Sequence, residues 1–445
     1  MKKIFAFAVS VLATASVFAG GVDNKTNLSA GYERNPSRNT ECSRPEAVFY
    51  NIGGTAFMED GVYVEAGDQL VFKKYANKLD VAAFNTYGIN KTYEDNRLVY
   101  LYPNAELVYK KGETAIFFGF GVFGGGGNLE YKDGTAATGL AFMGQALKYR
   151  NQAMTAAAGG DLQSAQRLAG AATACTGIAS DHSLDVYSVQ LGEIIGISSK
   201  VMDNLSLAVA ARFMHGTQSI ELKSASLKAI NGGDDTVGYK ADGYSVGAMF
   251  GIHYKPTELV DLSAQYQSIT RLNYKYHSYT GKDEVISSII TNKKDSFAND
   301  LPAVLNLGFG YQVLEDLYAS TSVNYYFNRF ATIESPLDGS EYDYGNSWEI
   351  ALGADYQLNR NLLLSAGISY GKNGTKSDQN NIFSPVLDSL AIGTGCEYKI
   401  TDKVLFTGSI MYCKYFDQDY TISSYDTTLS KNVTLIALGV TYKPF

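Results

Sequence analysis

The chain has 445 residues, and its 37 Lys and Arg against 45 Asp and Glu give a formal net charge of −8, which disfavours a nucleic-acid-binding protein. Its 33 Tyr, 22 Phe and 44 Gly beside 8 Pro are typical of a chain with many strands in which glycines relieve side-chain crowding. The same composition excludes a disordered or collagen-like chain. After the N-terminus no run of 18 or more apolar residues occurs, which excludes a polytopic helical membrane protein but leaves a membrane β-barrel open.

The first 19 residues have the three parts of a secretory signal peptide. Met1-Lys2-Lys3 is a basic start, residues 4–17 are apolar, and Val17-Phe18-Ala19 offers a small-x-small cleavage site. The apolar stretch is shorter than the roughly 20 residues that a membrane anchor needs. We therefore predict an exported protein whose mature chain begins near Gly20.

From residue 59 onward the chain reads as one domain of alternating strands. Short polar turns and long connections follow each other in turn, as in outer-membrane barrels with short periplasmic turns and long outer loops. We predict an all-β fold, a fourteen-stranded antiparallel transmembrane β-barrel over 59–445. The fourteen segments are 61–74, 96–110, 112–123, 183–200, 204–221, 239–255, 259–276, 301–314, 316–330, 346–358, 360–371, 388–401, 403–416 and 430–445.

A repeated Gly-x-x-Tyr pattern stands at one end of alternate strands. Residues three apart in a strand point to opposite faces, so a tyrosine that faces lipid places its glycine in the lumen. A ring of such tyrosines forms an aromatic girdle, with the ring in apolar contact and the hydroxyl in water. The five copies begin at Gly251, Gly308, Gly353, Gly395 and Gly439.

The longest connection, 124–182, is rich in alanine and is predicted to be a partly helical extracellular loop. Leu140, Met143 and Leu147 repeat at helical spacing, which predicts a helix pair with an apolar face. An exposed face of this kind would capture apolar cargo outside the cell. Packing of the same face onto the barrel rim explains the pattern equally well.

The motifs that would indicate catalysis are weak. Residues 119–124 match GxGxxG and residues 367–371 match GxSxG around Ser369, but both stretches continue as strands instead of turning into helices. The histidines are scattered, and Cys42, Cys175, Cys396 and Cys413 have no metal-type spacing, although a disulfide between Cys42 and Cys175 stays open. We predict no catalytic residue, no metal site and no cofactor.

The segment before the first strand resembles the start of the long-chain fatty-acid transporter family of outer-membrane proteins, the FadL/TodX (OmpP1) group. Its residues 45–57 read PEAVFYNIGGTAF. Tyr50, Asn51, Gly54 and Phe57, preceded by Phe49, match the family pattern, whereas Ile52 replaces the usual proline and Gly53 the usual alanine. Residues 251–259 and 301–303 are also family-like.

This resemblance implies that residues 20–58 form a hatch that plugs the lumen. It also implies capture of apolar ligands by outer loops and lateral release through a kink in the third strand. Glycines weaken ladder pairing and permit bulges, so the glycine-rich third strand is a suitable place for an opening. The residues that we predict for this opening are Gly119, Phe120, Gly121 and Gly124.

A ligand that carries a carboxylate favours a cation beside its head group. Arg212 and Arg271 face inward by strand parity and are the candidates, with Arg44 of the hatch as an alternative.

The sequence thus predicts an outer-membrane channel for passive uptake of long-chain fatty acids or other hydrophobic small molecules. The expected partners are this ligand, outer-membrane lipid and the barrel-assembly machinery, with no nucleic acid. Three alternatives remain: a polar-solute porin, a surface adhesin or antigen that acts through its outer loops, and an outer-membrane lipase that uses Ser369.

Overall fold

The structure is a computed structural model that describes residues 27–375, 380, 385–422 and 425–444. The predicted signal peptide, residues 1–19, lies outside these ranges, as do residues 20–26 at the start of the predicted hatch. Within them, no helix is both long enough and apolar enough to cross a membrane. All four cysteines are free thiols.

Fourteen strands form one closed antiparallel barrel, as predicted. Each strand pairs with the next, and β14 pairs with β1 from Val64 opposite Tyr442 to Leu79 opposite Thr427. Four strands are interrupted and consist of two pieces. The strands are β1 Gly61–Leu79, β2 Thr92–Asp95 and Asn104–Lys111, β3 Thr114–Tyr131, β4 Ser183–Met202, β5 Leu205–Lys223, β6 Thr236–Thr257, β7 Val260–Gln267 and Asn273–Thr280, β8 Ser296–Ala298 and Val304–Leu314, β9 Leu317–Tyr326, β10 Ser347–Asn359, β11 Leu362–Lys372, β12 Ser389–Thr401, β13 Val404–Tyr415 and Gln418–Ile422, and β14 Tyr425–Tyr442.

Period-two alternation decides which side chains face outward. On β10, Ile350 and Leu352 are exposed to the outside, whereas Glu349 and Ala351 between them are buried inside the barrel. The predicted tyrosine ring is confirmed, because its members are 38–47% exposed on the outer surface near the short turns. These tyrosines are Tyr109, Tyr254, Tyr311, Tyr356, Tyr398 and Tyr442.

The helices lie in the N-terminal segment and in the long connections. Residues 27–58, called the hatch below, contain α1 Ala30–Arg34, α2 Ala47–Tyr50 and a 3-10 turn Gly54–Phe57. The connection after β3 contains the predicted helix pair, α3 Ala136–Ala158 and α4 Leu162–Ser180, and α5 spans Asp283–Ile289. Thr135 caps α3 by accepting a hydrogen bond from the Thr138 N–H.

One bound of the long connection is corrected, and the structure decides between the two explanations of its helical face. Strand β3 continues to Tyr131, so the connection begins at 132 instead of 124. Leu140 and Met143 of α3 are 6% and 1% exposed, and only Leu147 of the predicted capture face remains open. The helix packs this face against the end of the barrel near Ile89 and Tyr93, because that contact removes its apolar side chains from water.

Candidate functional site

Glycines on the inner wall make room for the hatch. A Cβ at Gly251 would lie 2.5 Å from Ile52 Cγ1 and 3.0 Å from the Gly53 nitrogen, distances at which the hatch has no space for it. Glycines on seven strands approach the hatch in this way. In four of the five predicted Gly-x-x-Tyr copies, a Cβ on the glycine would lie within 3 Å of a hatch atom. The approaches are Gly119 to Val48, Gly251 to Ile52, Gly308 to Asn39 and Thr40, Gly353 to Asn35, Gly367 to Pro36, Gly395 to Arg34 and, at a looser 3.6 Å, Gly439 to Ala30.

Buried ion pairs anchor the hatch to one side of the wall. Arg34 binds Asp355 of β10 at 2.9 Å and Glu397 of β12 at 2.7 Å. Arg44 binds the other oxygen of Glu397 at 2.7 Å. Within the hatch, Arg38 pairs with both Glu41 and Glu46. Removing one partner would leave a buried charge uncompensated, so this network fixes the hatch on the side of β10–β12.

The ion pairs also change the pKa of a carboxyl group in the hatch, that of Glu41. Burial alone would raise the pKa of Glu41, but the Arg38 and Arg44 guanidiniums hold the pKa of this carboxyl below its ordinary value. A carboxyl with a lowered pKa stabilises the folded state above its unfolded pKa of about 4.3, and this contribution is lost as the pH falls through the lower folded value.

Asn51 of the predicted hatch motif is a hydrogen-bonded joint between the hatch and β6. Its Nδ2 donates to the Glu41 carbonyl at 2.9 Å and contacts His253 Nδ1 at 2.8 Å, while its Oδ1 accepts from the Gly54 N–H at 3.2 Å. His253 Nε2 lies 3.0 Å from Asp261 Oδ1. His253 is fully buried at this joint, and the inward parity of its strand position is the only sequence signal of its place.

Cys42 completes a cluster of metal-ligating residue types at this joint. Its Sγ lies within 4.8 Å of ligand atoms of His253 and Asp261. Both imidazole nitrogens are already engaged, however, and Lys255 Nζ lies 3.0 Å from Asp261 Oδ1. Burial raises the pKa of the Cys42 thiol to about 12, which keeps it protonated at neutral pH. The geometry therefore fits a hydrogen-bonded anchor better than a cation site.

The aromatic residues of the predicted hatch motif, Phe49, Tyr50 and Phe57, pack around the contact between Asn51 and His253. Phe49 lies against Gly119 of β3 and meets the ring of Phe123 edge to face at 5.9 Å. The Tyr50 hydroxyl accepts from the Leu28 N–H at 3.0 Å. The Phe57 ring lies 4.9 Å from the imidazole of His253. The hatch thus presents an apolar face to β3, opposite its ionic side.

The third strand is irregular, but farther along than predicted. Gly119 and Phe120 are paired on both sides, because Gly119 gives space to Val48 of the hatch and does not break the ladder. Pairing with β2 ends at Phe120, and pairing with β4 shifts register twice, at Val122/Gly124 and at Gly124/Gly127. Gly125 and Gly127 have φ of 102° and 67°, which glycine adopts readily. Of the predicted opening residues, only Gly121 and Gly124 lie in the irregular part.

Beyond Phe120, the described residues of β2 and β3 form no backbone ladder, and side chains cover the wall between them. Strand β2 leaves the ladder between Asp95 and Asn104, apart from an isolated bridge between Val71 and Val99. Tyr102 in this stretch donates its hydroxyl to the Val122 carbonyl at 2.9 Å. Its N–H donates to Asp68 Oδ1 at 2.8 Å.

The two predicted head-group candidates differ sharply. Arg212 is 4% exposed, donates to Gln267 and Thr270, and holds its guanidinium 5.8 Å from the centre of the Phe123 ring. Its Nε has no hydrogen-bond partner, and in the part of the chain that the structure describes no carboxylate lies within ion-pair distance of it. Arg271 is 67% exposed and pairs with Asp300 at 3.2 Å, so it is neither buried nor uncompensated.

The weak catalytic motifs lie in regular strands. Ser369 is 1% exposed in β11, paired with Ala351 and Ala391. A nucleophilic serine of this motif stands instead on an exposed strand-to-helix turn.

Comparison with known proteins gives one family. The sequence profile of the family described as "Outer membrane protein transport protein (OMPP1/FadL/TodX)" matches residues 151–443. Outer membrane protein P1 of Haemophilus influenzae is 27% identical over 189 residues, which cover 38% of this chain and 41% of that protein. The match therefore spans less than half the length of this relative.

Solved structures share the fold. A FadL homologue of Pseudomonas aeruginosa superimposes with a TM-score of 0.66 at 15% identity, covering 94% of this chain and 98% of that one. The toluene transporter TodX of P. putida gives a TM-score of 0.61 at 15% identity, covering 92% and 97%. Identities this low establish the common architecture alone.

The fit of the hatch against the glycines is tested by Gly251→Ala. The added methyl group has no space beside Ile52, and overpacking of this kind costs about 1–3 kcal/mol. We expect a loosened hatch and a higher single-channel conductance in planar bilayers. Gly371→Ala is the matched control, because its Cβ would come no closer than 3.2 Å to another atom. Equal conductance of the two variants would contradict the fit.

The ionic anchor is tested by acid titration of the same conductance. Because the pKa of Glu41 is lowered, its contribution holds at neutral pH and disappears as the pH falls below about 4. We expect conductance to rise reversibly in that range. Arg38→Gln removes the pairing cation, so this variant should be leaky at pH 7 and change less on acidification. A wild-type conductance that is constant down to pH 3 would argue against the anchor.

Proposed function

The chain belongs to the OMPP1/FadL/TodX family of outer-membrane transport proteins, and on that premise we propose that it is a passive channel for long-chain fatty acids or other hydrophobic small molecules. It resides in the outer membrane as a β-barrel. Passage depends on binding of the ligand and rearrangement of the hatch, and not on catalysis.

The observation that carries this proposal is the environment of Arg212. A buried cation is costly unless an anion compensates it. Among the residues that the structure describes, Arg212 has only neutral hydrogen-bond acceptors around it, and its Nε is unpartnered. The rings of Phe123 and Phe49 lie beside it in a row that leads to the hatch. A carboxylate with an apolar tail matches both features.

The hatch supports selection of such a ligand over polar solutes. Its ionic side is fixed to β10 and β12, whereas its side toward β3 makes apolar contacts through Val48 and Phe49. An apolar ligand competes for these contacts directly, and a sugar does not. We propose that displacement starts on the β3 side and that the ligand leaves laterally where the β2–β3 ladder ends. The ligand then enters the outer-membrane lipid. We also propose that the barrel-assembly machinery inserts this protein into the membrane.

The head-group role is tested by uptake of a labelled long-chain fatty acid into cells that lack their own transporter. Arg212→Gln removes the charge but keeps hydrogen-bonding capacity, so we expect uptake to fall about tenfold, in line with a lost charge-assisted hydrogen bond. Arg271→Gln is the control with the same change at an exposed, paired site, and it should behave as the wild type.

Permeability to a small sugar is measured on the same cells. Sugar leakage without fatty-acid uptake would replace this proposal by a porin. Equal loss of uptake in both arginine variants would show that general charge, not the position of Arg212, matters.

A further inference from the structure

The outer surface of the barrel is apolar at the height of the hydrocarbon layer, with two exceptions. This belt lies between the ring of tyrosines near the short turns and the aromatic residues Tyr244, Tyr325, Trp348 and Tyr370 toward the other end. Among its outward positions in the described strands, Asp68 of β1 and Glu193 of β4 are the charged ones. The others are aliphatic, aromatic or small and weakly polar.

Glu193 stands near the middle of this belt. It is exposed, and the residues opposite it are Phe120 on β3 and Phe213 on β5. It lies six residues before Ser199, which pairs with Thr114 beside the short turn between β2 and β3. Six residues are roughly 14 Å along the barrel axis for a strand tilted by about 45°. The apolar band of such barrels is about 25 Å tall. A carboxyl group at this depth is unfavourable against lipid tails, so a functional role is the first expectation.

Glu193 lies beside the place where the β2–β3 ladder ends. Phe120, opposite Glu193, is the last residue of β3 that pairs with β2. Beyond it the bulges of β3 begin, and the stretch 96–103 covers the gap. Asp68 lies on the other flank and accepts the Tyr102 N–H of this stretch. The two carboxyl groups thus stand on either side of the same gap, on its lipid side.

An independent polar group faces the same part of the wall from inside. Arg212 of β5 is opposite Ile194, the neighbour of Glu193, and its buried Nε has no partner in the described part of the chain. A molecule that crosses the wall here would pass from a donor in the lumen to an acceptor on the outside.

We propose that Glu193 accepts a hydrogen bond from the polar head of the ligand as it leaves through the β2–β3 gap. This inference rests on the proposed function. It assigns the ligand to amphipathic molecules whose head donates a hydrogen bond, such as a long-chain alcohol or a fatty acid. The carboxylate of a fatty acid takes up a proton from water as it leaves Arg212 for the apolar lipid side, and the neutral acid then donates to Glu193. A plain hydrocarbon or a methyl ester has no such donor and gains nothing from Glu193.

The test compares uptake of three labelled ligands of equal chain length: an acid, an alcohol and a methyl ester. Glu193→Leu removes the acceptor and adds a residue that suits the lipid face, so folding is preserved. Glu193→Gln keeps an acceptor oxygen. Glu221→Leu is the matched control, because it removes an outward carboxyl eight residues beyond Phe213, outside the belt. Binding of the acid to the purified protein is measured in parallel.

We expect Glu193→Leu to slow uptake of the acid and the alcohol about tenfold. Binding of the acid and uptake of the ester should stay unchanged, and Glu193→Gln and Glu221→Leu should match the wild type. Wild-type uptake of the acid by Glu193→Leu, or an ester slowed as much as the acid, overturns the role of Glu193 and leaves the proposed function standing. A wild-type protein that neither binds nor takes up the acid overturns both.

Discussion

The close approach of hatch and wall is the constraint on which the rest of the structure depends. A barrel of fourteen strands encloses a wide lumen, and its inward side chains would hold an inserted segment away from the wall. Glycines on seven strands remove that separation. Only then do Arg34 and Arg44 reach Glu397, and only then does Asn51 meet His253. The ionic and polar contacts of the hatch therefore presuppose the glycines.

The hatch is bound by ionic contacts on one side and by apolar contacts on the other. This difference sets the side on which the hatch is more easily displaced. Toward β10 and β12 it is bound by buried charges that lose much of their stability when separated. Toward β3 it is bound by Val48 and Phe49, whose contacts another apolar group can replace. The wall is interrupted on the same side, because the β2–β3 ladder ends at Phe120. The replaceable contacts and the gap in the wall thus face each other.

Local periodicity predicted the barrel well, because alternation and turn residues are properties of short stretches. It failed where the outcome depends on distant partners. The spacing of Leu140 and Met143 predicts a helical face but not what covers it. The glycines at 124–127 were interpreted as loop, although bulges keep them in β3. Parity placed Arg212 and Arg271 alike inward, whereas the break in β7 between Gln267 and Asn273 leaves Arg271 exposed. The burial of His253 depends on Asn51, 202 residues away.

The long sequence separations in the hatch network set an order of assembly. Arg34 is 321 residues from Asp355 and 363 from Glu397, so both carboxyl partners belong to the last third of the chain. Bringing such distant residues together carries a loop-closure cost that local hairpins avoid. The hatch therefore acquires its fixed position only after β10 and β12 are in place. Until then Arg34, Arg38 and Arg44 are hydrated, and the incomplete barrel is an open sheet to which the hatch is not yet bound.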